Sequence, residues 1–307
     1  MTTLKINVYS LITLALFSLP AYALTELSGD LESHLKAIDY GDKYDNSWVK
    51  PSTQQLASFE NVITEFIAGN YTQADNLGAN IGYQVTKFTN VSRSPSEIHY
   101  ILSEINPLPS SAFIGGGTFV AFPGGLNTVL QAPHPMKDSF TSSQAIETYL
   151  DIKPTLLMLA GTRRDNSTAT SACTDGRYAD SDVAHQTQSL FHTAHTVISD
   201  YNHATVFIQL HGFGSSTLSK LQEQCQSQNP NLINLSEGIY YPMSENEFSI
   251  IQILRSKVDA ESIEVSIPKR DDSDIEDVDP VRKGKVSFFD NSKGFGFIID
   301  SENSEKY

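Results

Sequence analysis

The chain has 307 residues, 39% hydrophobic and 19% charged. That length supports one large or two ordinary domains with real cores, and the composition excludes the fibrous and wholly disordered classes. With 21 Lys and Arg against 36 Asp and Glu, the formal charge is −15, which repels phosphate backbones and argues against nucleic acid as the main partner.

Residues 1–23 have the three parts of a secretory signal in order: Lys5 in a positive n-region, an apolar stretch from Val8 to Leu19, and the small-x-small site Ala21-Tyr22-Ala23. The apolar stretch is too short to span a bilayer, so no membrane span is expected in the mature chain. The expected product is an exported protein, periplasmic or extracellular, cleaved near Ala23. Two cysteines remain, Cys173 and Cys225; in an oxidising compartment an even pair fits a disulfide, with two free thiols as the alternative.

Residues 24–112 read as a helical region. Leu56, Phe59, Ile63, Phe66 and Ile67 recur at helical spacing and predict a helix from about Ser52 to Ile67. A second helix is predicted after Ser94 as N-cap, with Pro95 at its first position, Glu97 closing a capping box and the stripe Ile98, Ile101, Leu102, Ile105. His34 and His99 read as surface histidines among polar neighbours.

From 113 to 258 the pattern changes to an α/β one. Asn127–Gln131, Pro154–Ala160, Thr205–Leu210 and Leu232–Leu235 are short runs apolar on both faces, as expected of buried strands. A helix from 181 to about 201 lies between the second and third, with Ser181 as cap and Val183, Leu190, Phe191, Ala194, Val197 and Ile198 as its stripe. Strands alternating with helices predict a mostly parallel sheet with flanking helices. Residues 259–281 are strongly acidic without apolar periodicity and read as a solvated linker.

The chemistry-bearing residues fall just beyond the predicted strands. His134 and Asp138 follow the first, Arg163 and Arg164 the second, His211 the third and Glu237 the fourth. Parallel sheets bind ligands at the carboxyl edge, so one layout gathers them. Two histidines and a carboxylate with an open fourth position make a hydrolytic zinc set, here His134, Asp138 and His211; the carboxylate leaves room for another divalent ion. Glu237 is the candidate general base. Arg163 or Arg164 suits bidentate capture of a substrate carboxylate, and His185 near the start of the helix is within reach of the same edge. The remaining helix histidines read as solvated.

The strings Val129-Leu130-Gln131-Ala132-Pro133-His134-Pro135 with Asp138 and Thr141, Gly161-Thr162-Arg163-Arg164, Ser181-Asp182-Val183-Ala184-His185 and Ile208-Gln209-Leu210-His211-Gly212-Phe213 resemble the metal-dependent amidohydrolases related to N-formylglutamate amidohydrolase and zinc carboxypeptidases. The resemblance spans about 130 residues and departs from the carboxypeptidase spacing His-x-x-Glu by offering Asp138 four residues after the histidine. It implies a phosphorylase/hydrolase-like α/β fold, zinc, and cleavage of an amide next to a carboxylate in a small acidic amide or peptide. A binding module with a degenerate metal site is the plainer alternative.

Gly284-Lys285-Val286-Ser287-Phe288-Phe289, continuing through Lys293-Gly294-Phe295-Gly296-Phe297-Ile298, resembles the start of cold-shock domains. That resemblance implies an incomplete OB-type β segment over 282–307, with Phe288, Phe295 and Phe297 stacking on bases and Lys285 and Lys293 near phosphates. Phe288 stands where the family usually has tryptophan. Two strands cannot close the barrel, so single-stranded nucleic acid is a partner only if this tail is completed by another segment.

Overall fold

The computed structural model describes residues 23–105, 115–138, 140–172, 176–203 and 205–212, with Ser219 and four two-residue strand fragments farther along. In chain order the elements are β1 (Thr25–Gly29), α1 (Leu31–Lys36), α2 (Thr53–Ile67), α3 (Tyr71–Gly78), β2 (Tyr83–Asn90), β3 (Glu97–Glu104), β4 (Thr118–Ala121), β5 (Leu126–Ala132), α4 (Thr141–Ile152), β6 (Pro154–Leu159), α5 (Leu190–Tyr201) and β7 (Val206–Gln209). The seven strands form one mixed sheet, ordered β1-β2-β3-β4-β6-β5-β7. β6, β5 and β7 run parallel; β2, β3 and β4 connect them to β1 through antiparallel pairings, and β1 lies parallel to β2.

Strand alternation divides the core into two layers. Val129, Leu156, Met158 and Phe207 face the cluster under α2, α3 and α5, which includes Phe59, Ile63, Phe66, Phe191 and Ile198. Their chain neighbours Leu130, Leu157, Leu159 and Ile208 face the opposite cluster with Leu31, Leu35, Ile146 and Tyr149 of α1 and α4. Helices therefore cover both faces of the sheet, the arrangement of an α/β protein. Strands buried on both sides are mostly apolar on both faces, which is why the cores of β5, β6 and β7 were legible as short apolar runs, with Gln131 and Gln209 as polar exceptions.

Three helices begin on side-chain caps. Asp30 Oδ1 accepts from Ser33 N at 2.7 Å, and Ser189 Oγ accepts from His192 N at 3.1 Å. Ser52 and Gln55 form a reciprocal capping box on α2. The helix predicted from Ser181 is thus shorter than expected: Val183–His185 is one 3₁₀ turn, α5 starts at Leu190, and Ser189 caps it. The Ser181 hydroxyl instead bonds the Arg164 carbonyl at 2.9 Å.

The region 24–112, expected to be helical, holds α1–α3 and also three strands of the sheet. The helix predicted after Ser94 is β3. Its eight residues pair in full with β2, from Glu97 opposite Asn90 to Glu104 opposite Tyr83. Spacing that suits a helical stripe also suits a strand buried on both sides, and here Ile101 and Leu102 enter opposite core layers. The choice is made by pairing with β2 and β4, not by the local signal. His99 is correspondingly not a surface residue: it is 1% exposed, with Nδ1 2.9 Å from the Tyr149 hydroxyl.

The predicted strand at 232–235 appears as β8 (Ile233–Asn234), paired parallel with β9 (Val265–Ser266) and outside the seven-stranded sheet. β10 (Phe289–Asp290) and β11 (Phe295–Gly296) pair antiparallel within the cold-shock-like segment. Residues 1–22 of the expected signal, most of the expected acidic linker, Cys173, Cys225, Glu237, Lys285, Phe288, Lys293 and Phe297 lie outside the described residues. Among the described residues no helix is long and apolar enough to cross a membrane.

Candidate metal centre

The connection leaving β5 passes through α4 on one face of the sheet, and the connection leaving β6 passes through α5 on the other. Neighbouring parallel strands whose exits diverge leave a crevice at their carboxyl ends. His134 lies two residues past β5, Arg164 five past β6 and His211 two past β7, so all three enter this crevice.

The turn after β5 makes the four-residue spacing of His134 and Asp138 work. Asp138 N donates to His134 O at 3.2 Å, and the Thr141 hydroxyl lies 3.0 and 2.9 Å from the His134 and Asp138 carbonyls. One helical turn puts both side chains on the same side. His134 Nδ1 is 3.1 Å and His211 Nδ1 3.5 Å from Asp138 Oδ2. Gly212 N donates to the same oxygen at 3.0 Å. His134 and Asp138 are buried and His211 is exposed on one side, so the cluster opens to solvent through His211.

The far nitrogen of each histidine is already engaged. His134 Nε2 lies 2.8 Å from Asp182 Oδ1, and His211 Nε2 lies 2.7 Å from Gln209 Oε1. This leaves the two Nδ1 atoms converging on Asp138. Ligands about 2.0–2.1 Å from one tetrahedral ion stand roughly 3.3–3.4 Å apart, and the two separations from Asp138 bracket that value. The group of His134, Asp138 and His211, with ligand atoms within 4.8 Å of one another, can hold a metal ion.

Electrostatics favours a cation here. Burial works against a charge on His134, but hydrogen bonds to Asp138 and Asp182 and their negative charges overcome it and raise its pKa. Burial also disfavours the Asp138 carboxylate, yet contacts with His134 and His211, the His134 charge and the Gly212 N–H hold it well below the usual carboxylate range. The centre thus keeps a carboxylate at any ordinary pH and attracts a proton when nothing else neutralises it.

Of the two arginines, Arg164 belongs to the cluster, with Nη1 3.6 Å from Asp138 Oδ1 and 3.5 Å from His134 Nδ1. Arg163 turns away to Asp165, which also pairs with Lys137 at 3.1 Å. His185 stacks on Tyr178 with ring centroids 3.8 Å apart. Burial lowers its pKa; Asp182 opposes this, and His134, His211 and Arg164 reinforce it. The wall beyond is held by Asn166, whose amide donates to Asp42 O at 2.8 Å and accepts from Trp48 N at 2.8 Å.

Three contributors were not singled out from sequence: Asp182, Gln209 and Gln131. Gln209 had a usable signal, since period-two alternation puts it on the same face as His211, and Gln131 stands opposite it in the β5–β7 register. Asp182 lay within the Ser181–His185 string of the hydrolase resemblance but had no strand-end position to mark it, and its contact with His134 depends on the β6–β7 crossover. No protein-family model, curated protein or solved structure matches the chain.

Proposed function

We propose that the protein is a metal-dependent hydrolase that cleaves an amide bond next to a carboxylate, with zinc the expected ion. The observation that supports this reading is the pairing of each histidine's Nε2 with Asp182 or Gln209, which leaves both Nδ1 atoms and Asp138 facing one point. Histidines that bind metals characteristically bond a carboxylate or amide through the other nitrogen, which fixes ring and tautomer.

His134, Asp138 and His211 would hold the ion, which in such a set supplies Lewis-acid polarisation of a carbonyl and acidifies a bound water. The chain's own groups supply the rest. Asp182 keeps the His134 ring oriented and carries negative charge behind it. Arg164 is 36% exposed at its side chain, free enough on its outer side to receive a substrate carboxylate as a two-pronged partner. His185, held against Tyr178 and biased toward the neutral form, has a lone pair available for a proton. Glu237, the base expected from sequence, lies outside the described residues.

Elemental mass spectrometry on the purified chain tests the reading. About one zinc per chain, lost in His134→Ala and His211→Ala, is the expected result, followed by turnover of N-acyl amino acids or acidic peptides. No metal after reconstitution would sink the proposal. A second reading, binding of single-stranded nucleic acid by the tail, is favoured by one observation: Phe289–Asp290 and Phe295–Gly296 pair as adjacent antiparallel strands, as the cold-shock resemblance requires. A gel shift with single-stranded RNA across a salt series checks it.

A further inference from the structure

Behind His211 a line of polar groups runs into the core. Gln209 Oε1 faces His211 Nε2 at 2.7 Å, Gln209 Nε2 lies 3.2 Å from Gln131 Oε1, and Gln131 Nε2 lies 3.0 Å from His195 Nδ1 and 3.3 Å from Met158 Sδ. Gln131 is 1% exposed and Met158 fully buried. Buried amides are retained only when their donors and acceptors are matched, so the direction of each one matters.

The direction is set at the inner end. A thioether sulfur accepts hydrogen bonds and has no proton to give. Gln131 therefore turns its NH₂ toward Met158 and His195, which leaves its oxygen facing Gln209. Gln209 must then present its own NH₂ inward and its oxygen outward. An outward oxygen can only accept, so His211 must carry its proton on Nε2. The distances agree: 2.7 Å to Gln209 is a strong hydrogen bond, whereas 3.5 Å from His211 Nδ1 to Asp138 is too long for one.

We propose that the Met158–Gln131–Gln209 relay is a positioning device that locks His211 as its Nε2–H tautomer and thereby commits His211 Nδ1 to the metal. Without the relay, the neutral imidazole can swing closer to Asp138, move its proton to Nδ1 and donate there, which removes the lone pair the ion needs. The inference rests on the metal-centre reading for its purpose, but the tautomer it assigns belongs to the metal-free protein.

The test reads the two separately. In metal-free, ¹⁵N-labelled wild-type protein, at a pH where the ring is neutral, long-range ¹H–¹⁵N correlation of His211 should show a protonated Nε2 and a bare Nδ1; a protonated Nδ1 overturns the proposal. Zinc affinity is then measured by chelator competition in Gln209→Met, which keeps the length and removes both polar ends, and in Gln209→Glu, which keeps an acceptor facing His211. Gln209→Met should bind zinc about 10–100-fold more weakly with a mixed tautomer, and Gln209→Glu, which still presents an acceptor to His211 Nε2, should keep the Nε2–H tautomer and bind zinc more tightly than Gln209→Met. Equal affinity in wild type and Gln209→Met, or equal loss in both variants at unchanged melting temperature, overturns the proposal. Failure of the wild type to take up zinc counts against the hydrolase reading alone, because the ring protons are read without metal.

Discussion

Asp182 and His99 show how differently a buried histidine can be used. His134 has carboxylates against both ring nitrogens, so Asp182→Asn should lower its pKa in the metal-free protein and weaken zinc binding by about tenfold or more; a histidine NMR titration and chelator competition measure the two effects. His99 is instead kept neutral: burial pushes it down to about 4, against the opposing pull of Glu97, whose Oε2 is 3.6 Å away. Below pH 6.5 the unfolded chain takes up this proton and the folded chain does not, so stability is complete above 6.5 and is lost as pH falls toward 4. The full effect is about 3 kcal/mol. Urea unfolding should therefore show the gap between wild type and His99→Gln narrowing by about that amount from pH 7 to pH 4.

At the scale of elements, local signals and tertiary pairing divide the information. The α2 capping box is local and was partly visible in the run after Ser52; Ser52→Ala should cost about 1 kcal/mol in urea unfolding. β5, β6 and β7 were legible because both faces are buried. β3 was misread because Ile98, Ile101, Leu102 and Ile105 satisfy a helical period, and the partner that makes them a strand, β2, is specified elsewhere in the chain. β1 left no mark because an edge strand with most of its side chains exposed needs no apolar pattern. The candidate metal ligands were readable as strand-end residues, while their partners Asp182, Gln209 and Gln131 depend on register and crossover. Gly161 belongs to the same class. A Cβ there would meet Gly117 N at 2.4 Å and Gly115 C at 2.6 Å, backbone atoms that cannot step aside as a side chain would. Gly161→Ala should destabilise by about 1–3 kcal/mol and displace the exit from β6 that carries Arg164, measurable as a lowered melting temperature together with weaker substrate binding.

For the whole molecule, the candidate metal centre ties together loops from β5 and β7 with Asp182 from the β6–β7 crossover. An ion bound only by the folded state adds RT ln(1 + [M]/Kd), about 2.7 kcal/mol at a hundredfold excess over Kd. Zinc should raise the melting temperature of the wild type, a chelator should reverse the rise, and His211→Ala should show neither; differential scanning calorimetry measures all three. The two halves of the triad should also assemble at different times. His134 and Asp138 are neighbours as soon as one turn forms, but His211 arrives only when β7 docks on β5, after both crossovers are in place. Pairings that close long loops form slowly, because the closure entropy is lost before the contacts compensate for it. A nascent or refolding chain is therefore expected to pass through a stage with two of the candidate ligands in hand and the third still distant. If the triad binds zinc as proposed, tight capture should mark the docking of β7, and the rate at which a refolding chain takes zinc from an indicator should time that single event.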